Sequence, residues 1–299
     1  MERDPQMATR SSTSFHIPLY LAILGALLMS GCVHRKKQIK PVDLLTVLAK
    51  RLHGRSPSDQ REAMVNNIRA ELRAIAPTAD TTAFERALII VGTLPREEFV
   101  RDDRRNAAYV DLPQEIGYGQ TISDPYVVTI MTAALDLPVG ANVLDVGTGS
   151  GYQAAVLAHT AKRVSSIEIV PALALSASER LRRLGFSNVE VRAGDGFLGW
   201  PEHAPFDGII VAASAPDVPS PLLDQLMPGG RIVMPIGPSD KSTQLIRFTK
   251  KFDGSVERCS LGDALFVPLT GARVRPFARY GLFDRSIPLC FGSPIVGIL

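Results

Sequence analysis

The chain has 299 residues, 45% hydrophobic content, and 33 Lys and Arg against 30 Asp and Glu. This hydrophobic content is ordinary for a globular protein and excludes disorder along the whole chain. Residues 1–63 carry ten basic and five acidic groups, residues 271–299 carry four and one, and residues 64–270 carry 19 and 24. Because the central body is acidic and only the ends are basic, the charge pattern argues against a nucleic-acid partner.

The segment Phe15–Val33 is apolar and contains no Lys, Arg, Asp or Glu, as in a secretory signal or a short membrane span. The run Leu28-Met29-Ser30-Gly31-Cys32 resembles a bacterial lipoprotein cleavage box with Cys32 as the lipidated residue. Four Lys and Arg follow the segment and two precede it, which favours a cytoplasmic location for the chain that follows. A lipoprotein signal, a membrane anchor and untranslated sequence upstream of a start near Met64 all stay open.

The first predicted elements are two helices. Apolar residues recur at helical spacing from Met64 to Ile90, and Pro77-Thr78 separates two helices within this range. The break Gly54–Ser58 before them is typical of a linker.

Strands and helices alternate from Asn142 onward. The predicted strands are Val143–Val146, Val164–Val170, Val189–Val191, Asp207–Ala212 and Arg231–Ile236, with helices at Ala154–Ala161, Ala172–Leu184 and Leu222–Met227. Edge strands are expected near Thr243–Thr249 and Ala264–Leu269. This alternation predicts an α/β protein with a doubly wound, mostly parallel sheet.

A glycine loop follows the first strand of this sheet. The run Asp145-Val146-Gly147-Thr148-Gly149-Ser150-Gly151-Tyr152 lets the backbone approach a ligand at the start of the next helix. Its third glycine comes one residue earlier than in a dinucleotide-binding fingerprint. The spacing therefore favours S-adenosylmethionine, which has no pyrophosphate, over NAD.

Two further acidic residues end the next two strands. Glu168 lies about 20 residues after the glycines, where a carboxylate can accept hydrogen bonds from both ribose hydroxyls of a nucleoside. Asp195, between Gly194 and Gly196, can accept the adenine amino group, and a plain Asx turn is the alternative.

Other classes of site are not indicated. The five histidines form no His-x-x-x-His pair, so no metal site is expected. Three cysteines are too few for a disulfide framework, and Cys259 and Cys290 are interpreted as isolated residues.

Together these motifs resemble the protein-L-isoaspartate O-methyltransferase family. The resemblance covers residues 64–270 and is most specific at Gln120-Thr121-Ile122-Ser123, which general methyltransferases lack. The other matching runs are Leu94–Val100, Ala108-Tyr109, Gly119–Tyr126, Val143–Gln153, Gly194–Gly196, Gly199-Trp200, Ala204–Asp207, Ala215-Pro216, Gln225-Leu226, Pro228–Arg231 and Phe266–Leu269.

The resemblance implies a Rossmann-like class I methyltransferase that uses S-adenosylmethionine to methylate the free α-carboxylate of L-isoaspartyl, and some D-aspartyl, residues in damaged proteins. The ester then closes to a succinimide, which reopens partly to aspartate. Ser123 is the residue that matches the family's active-site serine. The cofactor-binding set that it implies is Thr121, Ile122, Asp145, Gly147, Thr148, Gly149, Ser150, Gly151, Glu168, Asp195 and Gly196.

We therefore expect a leader (1–63), a methyltransferase domain (64–270) and a C-terminal extension (271–299). The expected partners are isoaspartyl proteins and peptides. We expect the protein to be a cytoplasmic monomer, with possible membrane contact through residues 15–33. Two alternatives remain: a methyltransferase for another acceptor, and a non-catalytic exported lipoprotein that is attached through Cys32.

Overall fold

The computed structural model describes residues 48–49, 54–76, 81–237, 243–271 and 286–291. The apolar segment 15–33, with Cys32, lies outside these ranges, as does the predicted break at Pro77-Thr78. Among the helices in the described ranges, none has the length and apolar composition that a membrane crossing requires.

Two helices open the described chain, as predicted. Helix α1 (Pro57–Ile75) begins before Met64 because Ser56 caps it: Ser56 Oγ accepts a hydrogen bond from Asp59 N at 3.1 Å, and the Asp59 carboxylate accepts one from Ser56 N at 3.4 Å. The linker prediction was therefore wrong for the last residues of Gly54–Ser58. Helix α2 (Thr82–Thr93) follows.

The remaining elements build one sheet with a small hairpin before it. The hairpin consists of β1 (Gln114–Gly117) and β2 (Gln120–Ile122). The strands of the sheet are β3 (Ala141–Val146), β4 (Ala161–Glu168), β5 (Val189–Ala193), β6 (Phe206–Val211), β7 (Leu226–Ile236), β8 (Thr243–Lys250) and β9 (Val256–Ala264). The helices between these elements are α3 (Pro125–Leu135), α4 (Tyr152–Ala158), α5 (Pro171–Arg183) and α6 (Ser220–Asp224).

The strand order is β5-β4-β3-β6-β7-β8-β9, and the neighbouring strands from β5 to β7 are parallel. Strands β8 and β9 add antiparallel pairs at one edge. The order reverses between β3 and β6, and the loop after β3 opens at this switch point, where such sheets bind ligands. The predicted doubly wound, mostly parallel α/β fold is confirmed.

Two apolar cores cover the two faces of the sheet. Alternate residues of a strand point to opposite faces, so Val143 belongs to one core and Leu144 to the other. The first core also receives α1, α2, α3 and α4. The loop after β3 is consequently anchored by strands that are packed on both sides.

Several predicted boundaries were wrong. Ala161 begins β4 instead of ending a helix, and the helix predicted for Leu222–Met227 ends at Asp224 because β7 already begins at Leu226. The last edge strand is Val256–Ala264 and not Ala264–Leu269. Residues 265–269 instead hydrogen bond to the loop after β6, where Leu269 N donates to Ser214 O at 2.7 Å.

Cys259 and Cys290 form a disulfide with a Cα–Cα distance of 5.0 Å, which corrects their interpretation as isolated residues. The bond fixes segment 286–291 beside the edge strand β9. In this segment, Cys290 N donates to Ser260 O at 2.9 Å, and Phe291 contacts Phe84 of α2 with ring centroids 5.1 Å apart.

Candidate active site

The glycine loop at the switch point is a compact backbone turn. Gly147, Gly149 and Gly151 have φ angles of +93°, +53° and +88°, a region that residues with a Cβ rarely adopt. Gly147 N donates to Ile167 O of β4 at 2.8 Å, and Gly151 N closes the turn on Thr148 O at 2.7 Å. The loop is thus fixed both to the neighbouring strand and to itself before α4 begins.

Close packing also requires two of the predicted glycines. A Cβ on Gly151 would lie 3.1 Å from Leu181 Cδ1 of α5, and a Cβ on Gly196 would lie 2.3 Å from Val146 Cγ1. Gly196 therefore lets the loop after β5 pack directly on the end of β3. This packing accounts for Gly196 without a ligand.

Glu168 connects the end of β4 to the glycine loop. Its side chain is buried, with Oε2 accepting from Gly149 N at 2.7 Å and Oε1 accepting from Val170 N at 3.0 Å. A carboxylate has about four lone-pair sites, so Glu168 retains capacity for further donors. The structure thus brings this predicted ribose ligand into contact with the predicted loop.

Asp145 is fully buried beneath the loop. Its Oδ2 accepts from Ser166 Oγ at 2.7 Å, and the Ser166 hydroxyl lies 2.6 Å from Thr148 Oγ1. Burial raises the pKa of Asp145 to about 7, the Ser166 hydrogen bond opposes this rise, and the Glu168 carboxylate adds to it. Asp145 Oδ1 has no hydrogen-bond partner within the described part of the chain, which leaves an unsatisfied acceptor buried beneath the loop.

The remaining predicted ligands lie around this centre with different exposures. Thr148 and Ser150 are buried within the loop. Asp195 forms the Asx turn that was the alternative to adenine binding, because its Oδ1 accepts from Phe197 N at 3.0 Å. The backbone at Gly271 also passes close to it, since a Cβ there would lie 2.3 Å from Asp195 Oδ1.

The hairpin that leads to Ser123 packs against the glycine loop. A Cβ on Gly149 would lie 3.2 Å from Ile116 Cδ1 of β1, which pairs with β2. Thr121 is exposed on β2, Ile122 is buried in the first core, and Ser123 is partly exposed directly after the strand. The structure therefore places the hairpin that leads to Ser123 against the glycine loop.

Sequence reasoning missed a buried charged cluster behind Ser123. Arg96 is fully buried, and it donates through Nε to Ala108 O at 2.9 Å and through Nη2 to Ser123 O at 2.7 Å. Asp124 caps α3 by accepting from Val127 N at 2.7 Å, and Asp111 accepts from Tyr126 N at 2.9 Å.

The Asp124-Pro125 pair was a readable helix start, with an N-cap residue followed by proline at N1. It could have predicted α3. No local signal marks Arg96 as buried, because its acceptors lie 12 and 27 residues away in the chain.

Burial controls the ionisation of this cluster. It raises the pKa of Asp111 to about 8, helped by the Asp124 carboxylate, and it also raises the pKa of Asp124. Arg96 opposes both rises as the nearby cation.

Trp200 packs inside the protein, and its surroundings do not indicate a ligand-binding role. Trp200 is buried and stacks on His203 with ring centroids 4.1 Å apart, as expected for a packing residue. Within the described ranges, no group of three or more His, Cys, Asp or Glu side chains is placed to hold a metal ion.

Comparisons with known proteins agree with this geometry. The family model described as protein-L-isoaspartate(D-aspartate) O-methyltransferase matches residues 71–274. A protein-L-isoaspartate O-methyltransferase 2 of Syntrophobacter fumaroxidans is 49% identical over 212 residues, which cover 71% of this chain and 86% of the relative. The protein of the same name from Marinobacter nauticus is 50% identical over 220 residues, covering 73% and 96%.

Solved structures show the same similarity. A protein-L-isoaspartate O-methyltransferase matches with a TM-score of 0.60 and 27% identity, covering 71% of this chain and 66% of its own. The Plasmodium falciparum protein that was solved in complex with S-adenosyl-L-homocysteine matches with a TM-score of 0.57 and 26% identity, covering 70% and 98%. The family model alone spans more than half of the sequence, and so this chain belongs to the protein-L-isoaspartate(D-aspartate) O-methyltransferase family.

Proposed function

We propose that the two adjacent loops divide the work of the family's reaction, with the glycine loop binding the methyl donor and the Ser123 loop orienting the methyl acceptor. The chain is an S-adenosylmethionine-dependent enzyme that methylates the free α-carboxylate of L-isoaspartyl residues in proteins. The observation that supports the division of labour is the packing of Ile116, in the hairpin that leads to Ser123, against Gly149 of the glycine loop.

The donor half rests on three features of this chain. The glycine turn gives a ligand close access to backbone, Glu168 can accept from ribose hydroxyls, and Asp145 offers a buried, unpaired carboxylate oxygen. S-adenosylmethionine carries a ribose and positive charge, so these groups fit it. We assign Thr148, Ser150, Gly151, Asp195 and Gly196 to the walls of the same site, and Thr121 and Ile122 to its hairpin side.

When bound, S-adenosylmethionine supplies an electrophilic methyl group. A carboxylate is already ionised at neutral pH, since its ordinary pKa is about 4. The carboxylate oxygen forms a bond to the methyl carbon, the carbon–sulfur bond breaks, and its electron pair stays on sulfur. No proton moves, so the protein needs no general base and no covalent nucleophile.

Ser123 then acts as a hydrogen-bond donor that aligns the carboxylate. Alignment of two reactants can lower a barrier by about 7–11 kcal/mol, which makes positioning the main contribution of the protein. The partial exposure of Ser123 at the end of the hairpin suits a group that meets a peptide from solution.

The direct test is transfer of a labelled methyl group from S-adenosylmethionine to an isoaspartyl peptide, beside its normal aspartyl counterpart. Label on the isoaspartyl peptide alone is expected. If the donor binds and neither peptide is labelled, the acceptor is another molecule and the proposed role of Ser123 loses its basis. Calorimetry with NAD is the matched control, for which no binding is expected.

We further propose that the domain works in the cytoplasm, where the methyl donor is made, either free or tethered through residues 15–33. The disulfide favours the exported alternative, because such bonds persist mainly in oxidising compartments. Thiol labelling in intact cells, before and after reduction, separates the two. The cytoplasmic proposal requires this disulfide to be reduced in the cell, so that Cys259 and Cys290 are both labelled before reduction. An oxidised pair together with labelled lipid on Cys32 would establish export.

The proposed assembly is a monomer. Light scattering of the purified chain in solution tests this state, and a mass of about twice that of one chain would contradict it.

A further inference from the structure

Two arginines hold the two loops of the proposed site by the same type of contact. Arg96 Nη2 donates to Ser123 O at 2.7 Å on the acceptor side. Arg180 Nη1, from α5, donates to Ser150 O at 2.9 Å within the glycine loop. Each guanidinium thus binds a backbone carbonyl of a residue in one of the two loops of the proposed site.

Arg96 does more than hold one carbonyl. Its Nε donates to Ala108 O at 2.9 Å, and its guanidinium lies over the ring of Tyr152, with Cζ 4.6 Å from the ring centroid. Tyr152 is the first residue of α4, directly after the glycine loop. One buried side chain therefore connects the Ser123 loop to the helix that begins where the glycine loop ends.

The backbone of Ser123 is also constrained on its other side. Asp124 caps α3, so the residue after Ser123 is fixed to the helix while the carbonyl of Ser123 itself is fixed to Arg96. Because the backbone is fixed on both sides of Ser123, the Ser123 hydroxyl can occupy only a few positions. A lysine at position 96 could keep the charge, but it lacks the planar fork that reaches both carbonyls.

We infer that Arg96 is a positioning residue for methyl transfer, which sets the location of the Ser123 hydroxyl relative to the glycine loop. This inference rests on the proposed role of Ser123. Arg96 touches no reacting atom and acts on the acceptor through the Ser123 backbone, while its contacts with Ala108 O and the Tyr152 ring hold the guanidinium in place. Its loss should therefore slow the catalytic step and leave binding of the methyl donor unchanged.

The test is a kinetic double-mutant cycle on the full chain with an isoaspartyl peptide. Arg96→Lys should lower kcat about tenfold, the effect of losing one hydrogen bond, with unchanged affinity for S-adenosylmethionine. In a Ser123→Ala background the same substitution should lower kcat by less than about twofold, since the hydroxyl that it positions is gone. A purely structural role would instead give multiplicative losses, which would overturn the inference.

Two other arginines are matched controls. Arg180→Lys should weaken binding of the methyl donor, and its effect should be the same in the wild-type and Ser123→Ala backgrounds. Arg231 Nη1 donates to Leu135 O at 2.9 Å at the far end of α3, so Arg231→Lys perturbs the same helix away from the site and should leave kcat unchanged.

If the Arg96→Lys variant does not fold, a pair of substitutions that leaves the net charge unchanged can replace it in the same kinetic test. Arg96→Gln with Asp124→Asn removes one buried charge of each sign and keeps a good N-cap residue. The same loss of kcat and the same suppression by Ser123→Ala are expected. An unchanged rate in Ser123→Ala alone would refute the proposed role of Ser123. A slow Ser123→Ala beside a normal Arg96→Lys would refute only the role of Arg96.

Discussion

The two halves of the proposed site, the donor side at residues 145–168 and the acceptor side at residues 96–126, are built in different ways. The donor side is one β-turn-α unit and its neighbouring strand, held by backbone hydrogen bonds and the Glu168 carboxylate. The acceptor side joins three segments that are distant in sequence around the buried Arg96, with Asp111 and Asp124 as its acids. A short motif suffices for the first, whereas the second depends on one buried arginine that hydrogen bonds to two other segments.

The largest expected effect tests that dependence. Arg96→Met removes the buried guanidinium that donates to Ala108 O and Ser123 O, and leaving a buried acceptor without its donor costs about 1–3 kcal/mol of the free energy of unfolding for each carbonyl. Urea denaturation measures it, with Arg96→Lys as the control that keeps the charge. A loss below about 1 kcal/mol would contradict the dependence of the acceptor side on Arg96.

The buried Asp111 carboxyl group makes the stability of the fold depend on pH in a definite direction. Burial raises the pKa of Asp111 to about 8 in the folded state, above the ordinary value of 3.8. Its contribution to stability is therefore fully present below about pH 4 and is lost as the pH rises through about 8. The wild-type chain should lose stability between about pH 4 and pH 8 and then level off, and Asp111→Asn should flatten that slope.

The donor side is tested by Glu168→Ala. The carboxylate is expected to accept hydrogen bonds from the ribose of the methyl donor, so its removal should weaken donor binding by about 1.5–3 kcal/mol. Calorimetry with S-adenosyl-L-homocysteine measures the change without turnover. Because Glu168 also binds Gly149 N, hydrogen exchange at that amide should show whether the loop has loosened, and Glu168→Gln is the conservative control.

Ser123→Ala separates the two sides. It should lower kcat on an isoaspartyl peptide roughly 10- to 100-fold, the range for a hydrogen bond to a charged group. Donor affinity should change by less than about twofold, because Ser123 belongs to the other loop. Trapping of a covalent intermediate at Ser123 would contradict an orienting role.

The same contrast explains what the sequence could predict. Strands β3 and β6 were visible because they are short apolar runs between turns, and the glycine loop because its residues are adjacent. The edge strand Val256–Ala264 was missed because its first half is exposed and carries no apolar run, whereas Ala264–Leu269 resembles a strand but contacts the loop after β6. The Cys259–Cys290 bond spans 31 residues and has no local signal.

The proposed cofactor-binding residues also show which features the sequence could and could not predict. The ligand types at Asp145 and Glu168 were readable from strand ends, but the burial of Asp145 was not, since it depends on the packing of β3 between β4 and β6. That burial raises the pKa of Asp145 to about 7 and gives the donor side a pH dependence of its own.

The smallest expected effect follows from this carboxyl group. Bound positive charge favours the ionised form of Asp145, so binding of S-adenosylmethionine should release a proton below about pH 7. Donor affinity should therefore rise roughly three- to tenfold from pH 6 to pH 8 and then level off, because above the pKa the carboxylate is already ionised. Calorimetry in two buffers with different ionisation enthalpies counts the released protons. Asp145→Asn should abolish both the release and the slope, whereas a slope that persists in this variant would assign the titration to another group.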